Sequence, residues 1–298
     1  MSIVVTGASG HLGRLTIAHL LERGVPAEEI TATARAVDRL KDLAEKGVAV
    51  RAADYTDPAS LRAAFRGADR LLLVSGHPGP DRLAEHRNAV EAARAAGVGL
   101  LAYTSVVNAQ TSGMIVAEDH AATETLIAGS GLTFAFLRNS WYHENYTARI
   151  PAFLQHGTVL GGAGDGRVSG AARADYAHAA AEVLTGQGHE NRIYELGGDP
   201  GYTLTELAAE ITGQSGTEVR YADVPETAHA RALAEAGLPR PIAQLLADAD
   251  QGIRRGGLHT DSGDLARLIG QPTTPLATAV ATAVATALAA ARPAGAGA

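Results

Sequence analysis

The sequence predicts an α/β protein: a doubly wound, mostly parallel sheet with helices on both faces, joined to a smaller mixed C-terminal domain. Three observations predict it. Short apolar runs alternate with longer segments of helical spacing through the first half of the chain. Several runs are apolar on both faces, as in Leu71-Leu72-Leu73-Val74. A glycine-rich turn links the first run to the first helical segment. Strands that alternate with helices pair in parallel through right-handed crossovers, and strands covered on both sides read as unbroken apolar runs.

The elements follow in order. A strand at Ile3–Thr6 leads through the glycine turn to a helix at Thr16–Arg23, with Ile17, Leu20 and Leu21 on its inner face. Strands at Ile30–Ala34 and Val48–Ala52 come next. Asp57-Pro58 then opens a helix at Ala59–Phe65 carrying Leu61 and Phe65; proline fits the first helical turn, where its missing N–H costs nothing. A strand at Leu71–Ser75, a helix at Leu83–Ala96, a strand at Leu100–Thr104, a helix at Asp119–Ala128 and a strand at Thr133–Leu137 complete the alternation. Gly24, Gly97 and Gly131 follow helical runs, where a left-handed residue is wanted. Beyond Trp141 the pattern weakens to an apolar run at Arg192–Leu196, a helix at Thr205–Gly213 after Thr203 and an Ala/Leu-rich helical stretch from Glu226 to Asp250. An Ala-rich helix at Leu276–Ala291 comes last, with Pro293–Ala298 as a frayed end. The expected organisation is residues 1–145 as a nucleotide-binding domain that receives some later segments, 146–276 as a smaller substrate-side domain, and 277–298 as the Ala-rich helix and tail.

Composition narrows the function. The chain has 298 residues, 46% of them hydrophobic, enough for a sizeable core. It has no cysteine, which excludes disulfides, zinc–thiolate and iron–sulfur sites and a thiol nucleophile. A net charge of −7 argues against a general nucleic-acid binder. Leu276–Ala291 is too short and too weakly apolar to span a bilayer, and Met1 runs straight into Ile3-Val4-Val5 without a basic leader. A cytoplasmic protein with no membrane partner is expected. The 11 histidines include no closely spaced pair of metal-ligand type. His19, His156, His178, His189, His229 and His259 read as scattered, solvated residues, and no metal is expected. Lys41 and Lys46 are the only lysines, both in one early helical segment, which argues against Schiff-base chemistry.

The strongest motif is Thr6-Gly7-Ala8-Ser9-Gly10-His11-Leu12-Gly13. It follows a strand and opens a helix. Gly7 permits a tight turn, Gly10 a close backbone approach to a pyrophosphate, and Gly13 close packing of helix on sheet. The helix N-terminus offers free N–H groups to phosphate oxygens. A glycine turn with no ligand is the alternative. The second strand ends in Thr33-Ala34-Arg35, with no acid to accept from a ribose 2′-hydroxyl. A guanidinium there favours a 2′-phosphate, hence NADP(H). Asp54, at the end of the third strand, could accept from an adenine amino group or hold a turn. Ser75, Gly76 and His77 follow the fourth strand, where small residues let a cofactor pass close to the backbone.

Gly7–Gly13, Arg35, Asp54-Tyr55, Ala102–Ser105 and the block Leu137–Tyr146 together resemble the NmrA-like branch of the atypical short-chain dehydrogenase/reductases. Within it the resemblance is to the bacterial type 2 NAD(P)H:quinone oxidoreductases. His86-Arg87-Asn88, Glu118-Asp119-His120, Gly164-Asp165-Gly166, Arg173–Tyr176 and Gly256-Gly257-Leu258 fit the same type, so the likeness runs from residue 2 to about Leu276. The resemblance implies a Rossmann-type NADP domain, a small C-terminal domain, a cleft for a quinone and no flavin. It places Gly7, Ala8, Ser9, Gly10, His11 and Leu12 on the pyrophosphate and Arg35 on the 2′-phosphate. Ser75, Gly76 and His77 fall on the ribose side, and Asn139, Ser140, Trp141, Tyr142 and on to Glu144 at the nicotinamide end. Thr104 and Ser105 end the fifth strand, where ligands meet an open sheet, and join the cofactor set.

The Tyr-x-x-x-Lys pair of ordinary short-chain dehydrogenases is missing. Its place reads His120-Ala121-Ala122-Thr123-Glu124. His120 and Glu124 share a helix face, and a carboxylate beside an imidazole would orient it and raise its pKa. His120 is therefore a candidate proton donor, or else an anchor for the loop Thr111–Asp119. Tyr103 or Ser105 could polarise a carbonyl. Trp141 and Tyr142 could stack on a quinone or nicotinamide, or fill an inter-domain core. Arg173 and Asp175 read as an ion pair between the domains, and Arg254-Arg255 as a solvated turn. The expected function is hydride transfer from NADPH to a quinone in one two-electron step. The alternative is a non-catalytic NADP(H)-binding redox sensor that regulates a partner protein. Reduction of an enal or aryl ether is demoted by the missing lysine. A homodimer is one assembly expected of an α/β reductase this size.

Overall fold

The structure is a computed structural model and describes residues 1–291. Elements follow in chain order as β1 (Ile3–Val5), α1 (His11–Glu22), β2 (Ile30–Ala34), α2 (Lys41–Ala44), β3 (Ala49–Ala52), α3 (Pro58–Ala64), β4 (Arg70–Leu73), α4 (Arg82–Ala96), β5 (Leu100–Val106), α5 (Ile115–Ala128) and β6 (Phe134–Asn139). The second half adds α6 (Glu144–Thr147), α7 (Ile150–His156), β7 (Thr158–Gly161), α8 (Arg173–Thr185), β8 (Arg192–Leu196), α9 (Leu204–Ser215), β9 (Arg220–Asp223), α10 (Glu226–Glu235), α11 (Arg240–Arg254), α12 (Asp264–Ile269) and α13 (Leu276–Ala291).

Seven strands form one parallel sheet in the order β3-β2-β1-β4-β5-β6-β8. The chain winds outward from β1 to β3 and then crosses back to place β4 beside β1. The loops after β1 and β4 therefore diverge to opposite faces and open a crevice at the carboxyl ends of the strands. On one face, Ile17 and Leu20 of α1 pack in one core with Ala177, Ala180 and Leu184 of α8. On the other, Leu61, Phe65, Val90 and Ala93 from α3 and α4 cover Leu71, Leu73 and Leu101. A third core joins Val106, Val107 and Met114, at and beyond the end of β5, to Phe153, Val159, Leu207, Ile211 and Val280. It fixes the second lobe, with its small parallel β7–β9 sheet, against the site end of the large sheet.

The expected strands and helices of the first half form within a few residues of their predicted ends. Asp57 caps α3 by accepting from the Ala59 N–H at 2.9 Å. Gly24, Gly97 and Gly131 all take positive φ. Thr203 and Glu206 form a reciprocal capping box on α9. Two segments of the second half join the large sheet's layers: β8 pairs with β6, and α8 lies along α1. Four details differ. The stretch from Glu226 to Asp250 is two helices, separated at Gly237, whose φ is +97°, and Pro239. Strands β7 and β9 carry no repeating pattern long enough to read. Arg173 and Asp175 do not pair with each other: Asp175 accepts from the Thr274 N–H and hydroxyl at 2.8 and 3.0 Å, while Arg173 lies 4.8 Å over the Tyr142 ring. Arg254 is no free turn residue but pairs with Asp223 at 2.7 Å.

The histidines are not uniformly solvated. His229 is only 4% exposed, His19 and His178 stack on each other, and His259 is hydrogen-bonded to Ser169 at 3.0 Å. Helix α13 packs on the body of its own chain, burying Val280 and Val284 against α9 and α7. The expected frayed end at Pro293–Ala298 lies outside the described residues. Among the described residues no helix is long and apolar enough to cross a membrane, and no group of three or more His, Asp or Glu could hold a metal ion.

Candidate functional site

The turn from β1 into α1 is built for a close backbone approach. Gly7 sits at φ +60°, a conformation that disfavours a Cβ. A Cβ on Gly13 would stand 2.7 Å from the Gly7 carbonyl oxygen, so the first turn of α1 rests directly on the loop. The Ala8 N–H is spent on Thr33 O at 2.9 Å and the Gly10 N–H on Gly7 O at 2.9 Å. The N–H groups of His11, Leu12 and Gly13 have no acceptor, and no acidic residue occupies the first turn of α1. Free amides and the positive end of the helix dipole make an anion cradle. Around it, His11 is exposed, Ser9 half-buried, and Ala8 and Leu12 buried.

Arg35 leaves the end of β2 exposed, without a hydrogen bond or ion pair to any described residue. Asp54, across from it, is a turn residue. Its Oδ1 accepts from the Thr56 N–H at 3.0 Å and hydroxyl at 2.9 Å. The Thr56 amide, and to a lesser degree Arg35, hold its carboxyl below the usual aspartate range. Only Oδ2 is left for an adenine. Arg14 of α1 reaches to Asp42 and to the Arg39 carbonyl, which fixes the segment that follows Arg35.

Three strand ends are tied together by groups that local sequence pattern does not mark. The Thr6 hydroxyl donates to Leu72 O at 3.0 Å, and the Val74 N–H donates to Thr6 Oγ1 at 2.8 Å. The Tyr55 hydroxyl lies 2.6 Å from Thr6 Oγ1 and 2.7 Å from Val74 O, and its own carbonyl accepts from Asn88 Nδ2 at 2.8 Å. Thr104 Oγ1 accepts from the Ser75 N–H at 2.8 Å. Gly76 donates its N–H to His86 Nε2 at 3.0 Å. A backbone N–H can only donate, so Nε2 is an acceptor and the proton sits on Nδ1, which donates to Thr123 Oγ1 at 2.9 Å. Thr123 in turn donates to Asp119 O at 2.8 Å. Burial, helped by Arg82, pushes the His86 pKa down to about 3, so the ring is neutral and fully enclosed. His77, the next residue of the loop, is exposed.

The expected proton donors are placed differently. His120 does not pair with Glu124. Arg82 Nη2 donates to His120 Nε2 at 3.0 Å, so Nδ1 carries the proton and donates to Tyr103 Oη at 2.9 Å. His120 is 5% exposed and Tyr103 0%. Burial, then Arg82 and His86, push the imidazole well below its ordinary pKa, and burial raises the Tyr103 phenol. The pair is buried where β5, α4 and α5 meet. Ser105 is likewise spent: its hydroxyl donates to Glu124 Oε1 at 2.6 Å. Glu124 also receives Arg138 at 2.6 Å. Thr104, only 3% exposed, stands behind Ser75 rather than in the crevice.

After β6, Trp141 packs on the C-terminal core and Tyr142 on the sheet core, so adjacent aromatics straddle the two lobes. Ser140 donates to Leu258 O at 2.8 Å. Asn139 is 6% exposed, and its Oδ1 is buried with no partner.

A family model described as NAD(P)H-binding matches residues 7–187. The chain belongs to the NAD(P)H-binding family. The chain is 48% identical to quinone oxidoreductase 2 of Escherichia coli K12 over 92% of this chain and 96% of that protein. The crystal structure of the NADPH-dependent quinone oxidoreductase of E. coli complexed with NADPH superposes with a TM-score of 0.91, covering 94% of this chain and 99% of that one. The triphenylmethane reductase of Citrobacter sp. complexed with NADP(H) is 39% identical, with a TM-score of 0.90 over 95% of this chain and 100% of that one. The residues present fit NADP(H). Three free amides and a helix end suit a pyrophosphate, an unpaired guanidinium suits a 2′-phosphate, and the orphaned Asn139 Oδ1 suits a donor such as a carboxamide.

Proposed function

We propose that this NAD(P)H-binding protein is an NADPH:quinone reductase that transfers a hydride to a quinone in one two-electron step without flavin. The observation that carries the reading is the crevice itself. An anion cradle and Arg35, unpaired among the described residues, suit NADPH, and the tyrosine–histidine pair, Tyr103 and His120, is buried. NADPH supplies the hydride when bound and leaves as NADP⁺. The quinone gains the hydride and its two electrons, and the hydroquinone anion takes its remaining proton from water. Such an acceptor asks the protein for position and charge stabilisation, not for a proton relay.

In this reading Gly7, Ala8, Ser9, Gly10, His11 and Leu12 hold the pyrophosphate, and Arg35 grips the 2′-phosphate. Ser75, Gly76 and His77 flank the ribose. Asn139 orients the carboxamide through Oδ1, and Trp141 and Tyr142 close the nicotinamide end. Thr104, Ser105 and Ser140 shape the crevice from behind.

The test follows NADPH oxidation by absorbance with a panel of benzoquinones and naphthoquinones, with NADH in parallel. Arg35→Asp is expected to lower kcat/KM for NADPH by about 100-fold, the loss of two charged hydrogen bonds at ~1.5 kcal/mol each, and to leave NADH less affected. Tight NADPH binding without turnover on any quinone overturns the reductase reading. It would favour a redox sensor, whose affinities for NADP⁺ and NADPH should then differ.

A further inference from the structure

Helix α7, strand β7 and helix α10 flank a half-open pocket of about 330 Å³ in the second lobe, lined by none of the residues assigned above to the nucleotide. Phe153, Leu160 and Leu233 supply its apolar wall. Its polar lining is Arg149, His156, Thr158 and His229. His229 is 4% exposed, and neither ring nitrogen makes a hydrogen bond. Asp250 Oδ2 lies 3.0 Å from its Nδ1 but outside hydrogen-bonding geometry, and already accepts from the Gly162 N–H at 2.8 Å. The half-buried Arg149 lays its guanidinium 5.1 Å from the centre of the Phe153 ring and has no carboxylate within ion-pair distance among the described residues. The Tyr146 hydroxyl, near enough to feel the charges of Arg149 and Asp250, is also buried without a partner.

Buried polar groups are normally satisfied, and His229, which lines the pocket without a hydrogen bond to any described residue, marks a place where a partner belongs. A planar guanidinium fork matches a carboxylate. The volume is that of a small-molecule site. We propose that this pocket binds a small aromatic carboxylate, its ring against Phe153, Leu160 and Leu233 and its carboxylate on Arg149 and His229. The site is independent of the hydride-transfer reading, because it neither uses nor touches the nucleotide loops.

The test is calorimetric titration of 2-naphthoate into the full chain saturated with NADPH, repeated with the neutral 2-naphthamide. Saturable one-to-one binding of the carboxylate is expected, with the amide about tenfold weaker and Arg149→Met about tenfold weaker than the parent. Ala232→Trp, which fills the pocket from α10, should abolish binding while leaving NADPH affinity and the thermal midpoint at their parent values. That second variant keeps the test decisive if Arg149→Met folds poorly. The proposal is overturned if neither 2-naphthoate nor the smaller benzoate binds saturably, if carboxylate and amide bind alike, or if the tryptophan variant binds as the parent does.

Discussion

At Gly13 a single methyl group would meet the Gly7 carbonyl at 2.7 Å and the Ala8 Cα at 3.0 Å, both backbone atoms that cannot swing away. Gly13→Ala is therefore expected to cost ~1–3 kcal/mol and to weaken NADPH binding, read as a lower melting temperature with and without NADPH. An unchanged midpoint would mean that α1 can lift off the loop. The requirement was legible in the sequence because it is local: strand, turn and helix start lie within one short segment. His86 is the opposite case. Its value lies in the Gly76 N–H on one side and the Thr123 hydroxyl on the other, and nothing in its own neighbourhood announces either. Because Nε2 accepts from Gly76, His86→Gln, whose carboxamide oxygen can reach the same N–H, should keep the KM for NADPH within about threefold. His86→Asn and His86→Leu should raise it about tenfold, with kcat less changed, as expected of roughly one lost hydrogen bond. Equal KM in all three variants would show that the Gly76 loop does not depend on His86.

Helix α5 shows how an element can be read correctly and paired wrongly. His120 and Glu124 share a face, as the spacing predicts. Tyr103 and Ser105 share a face of β5, as alternation requires. The two faces meet rung to rung: His120 bonds Tyr103 and Glu124 bonds Ser105. An intrahelical His–Glu pair was the natural inference from one element alone, and the second element displaced it. Glu124, 2% exposed, is then neutralised by Arg138 of β6, which also reaches Glu195 of β8 at 2.7 Å. This charged cross-link ties α5 to two strands. Arg138→Leu leaves a buried carboxylate without its cation and is expected to cost ~3–5 kcal/mol. Urea titration of the variant against the double change Arg138→Leu/Glu124→Leu checks it, since removing both charges should restore part of the loss. No recovery in the double variant would assign the cost to packing instead.

For the whole molecule, three enclosed histidines set the acid limit. Burial lowers the pKa values of His86, His120 and His143, the first to about 3. Each is neutral when folded, while in the unfolded chain an imidazole takes a proton below its ordinary value of 6.5. The unfolded state then binds more protons. The stabilisation is complete above pH 6.5 and is lost as pH falls below it; for His86 the loss runs down to about 3, with a slope approaching ~1.4 kcal/mol per pH unit. Urea midpoints at pH 7.5, 6.0 and 5.0 should fall in that order, and His120→Gln should flatten the slope. Midpoints independent of pH across this range would contradict the placement of these rings.

The parallel α/β layout, the glycine turn and the place of Arg35 without a competing acid were legible in the sequence. Each rests on short-range rules: backbone sterics at glycine, the period of apolar residues, and the charge at one strand end. Which polar groups are buried and which are exposed was set by packing between elements distant in the chain. Tyr103, Ser105 and His120 look accessible in one dimension, yet are buried and hydrogen-bonded where β5, α4 and α5 meet. Thr6, Tyr55 and His86 look ordinary, yet position the loops that carry the site. The reason is physical: burial and hydrogen-bond direction are set by neighbours distant in the chain, and no residue carries that information in its own segment.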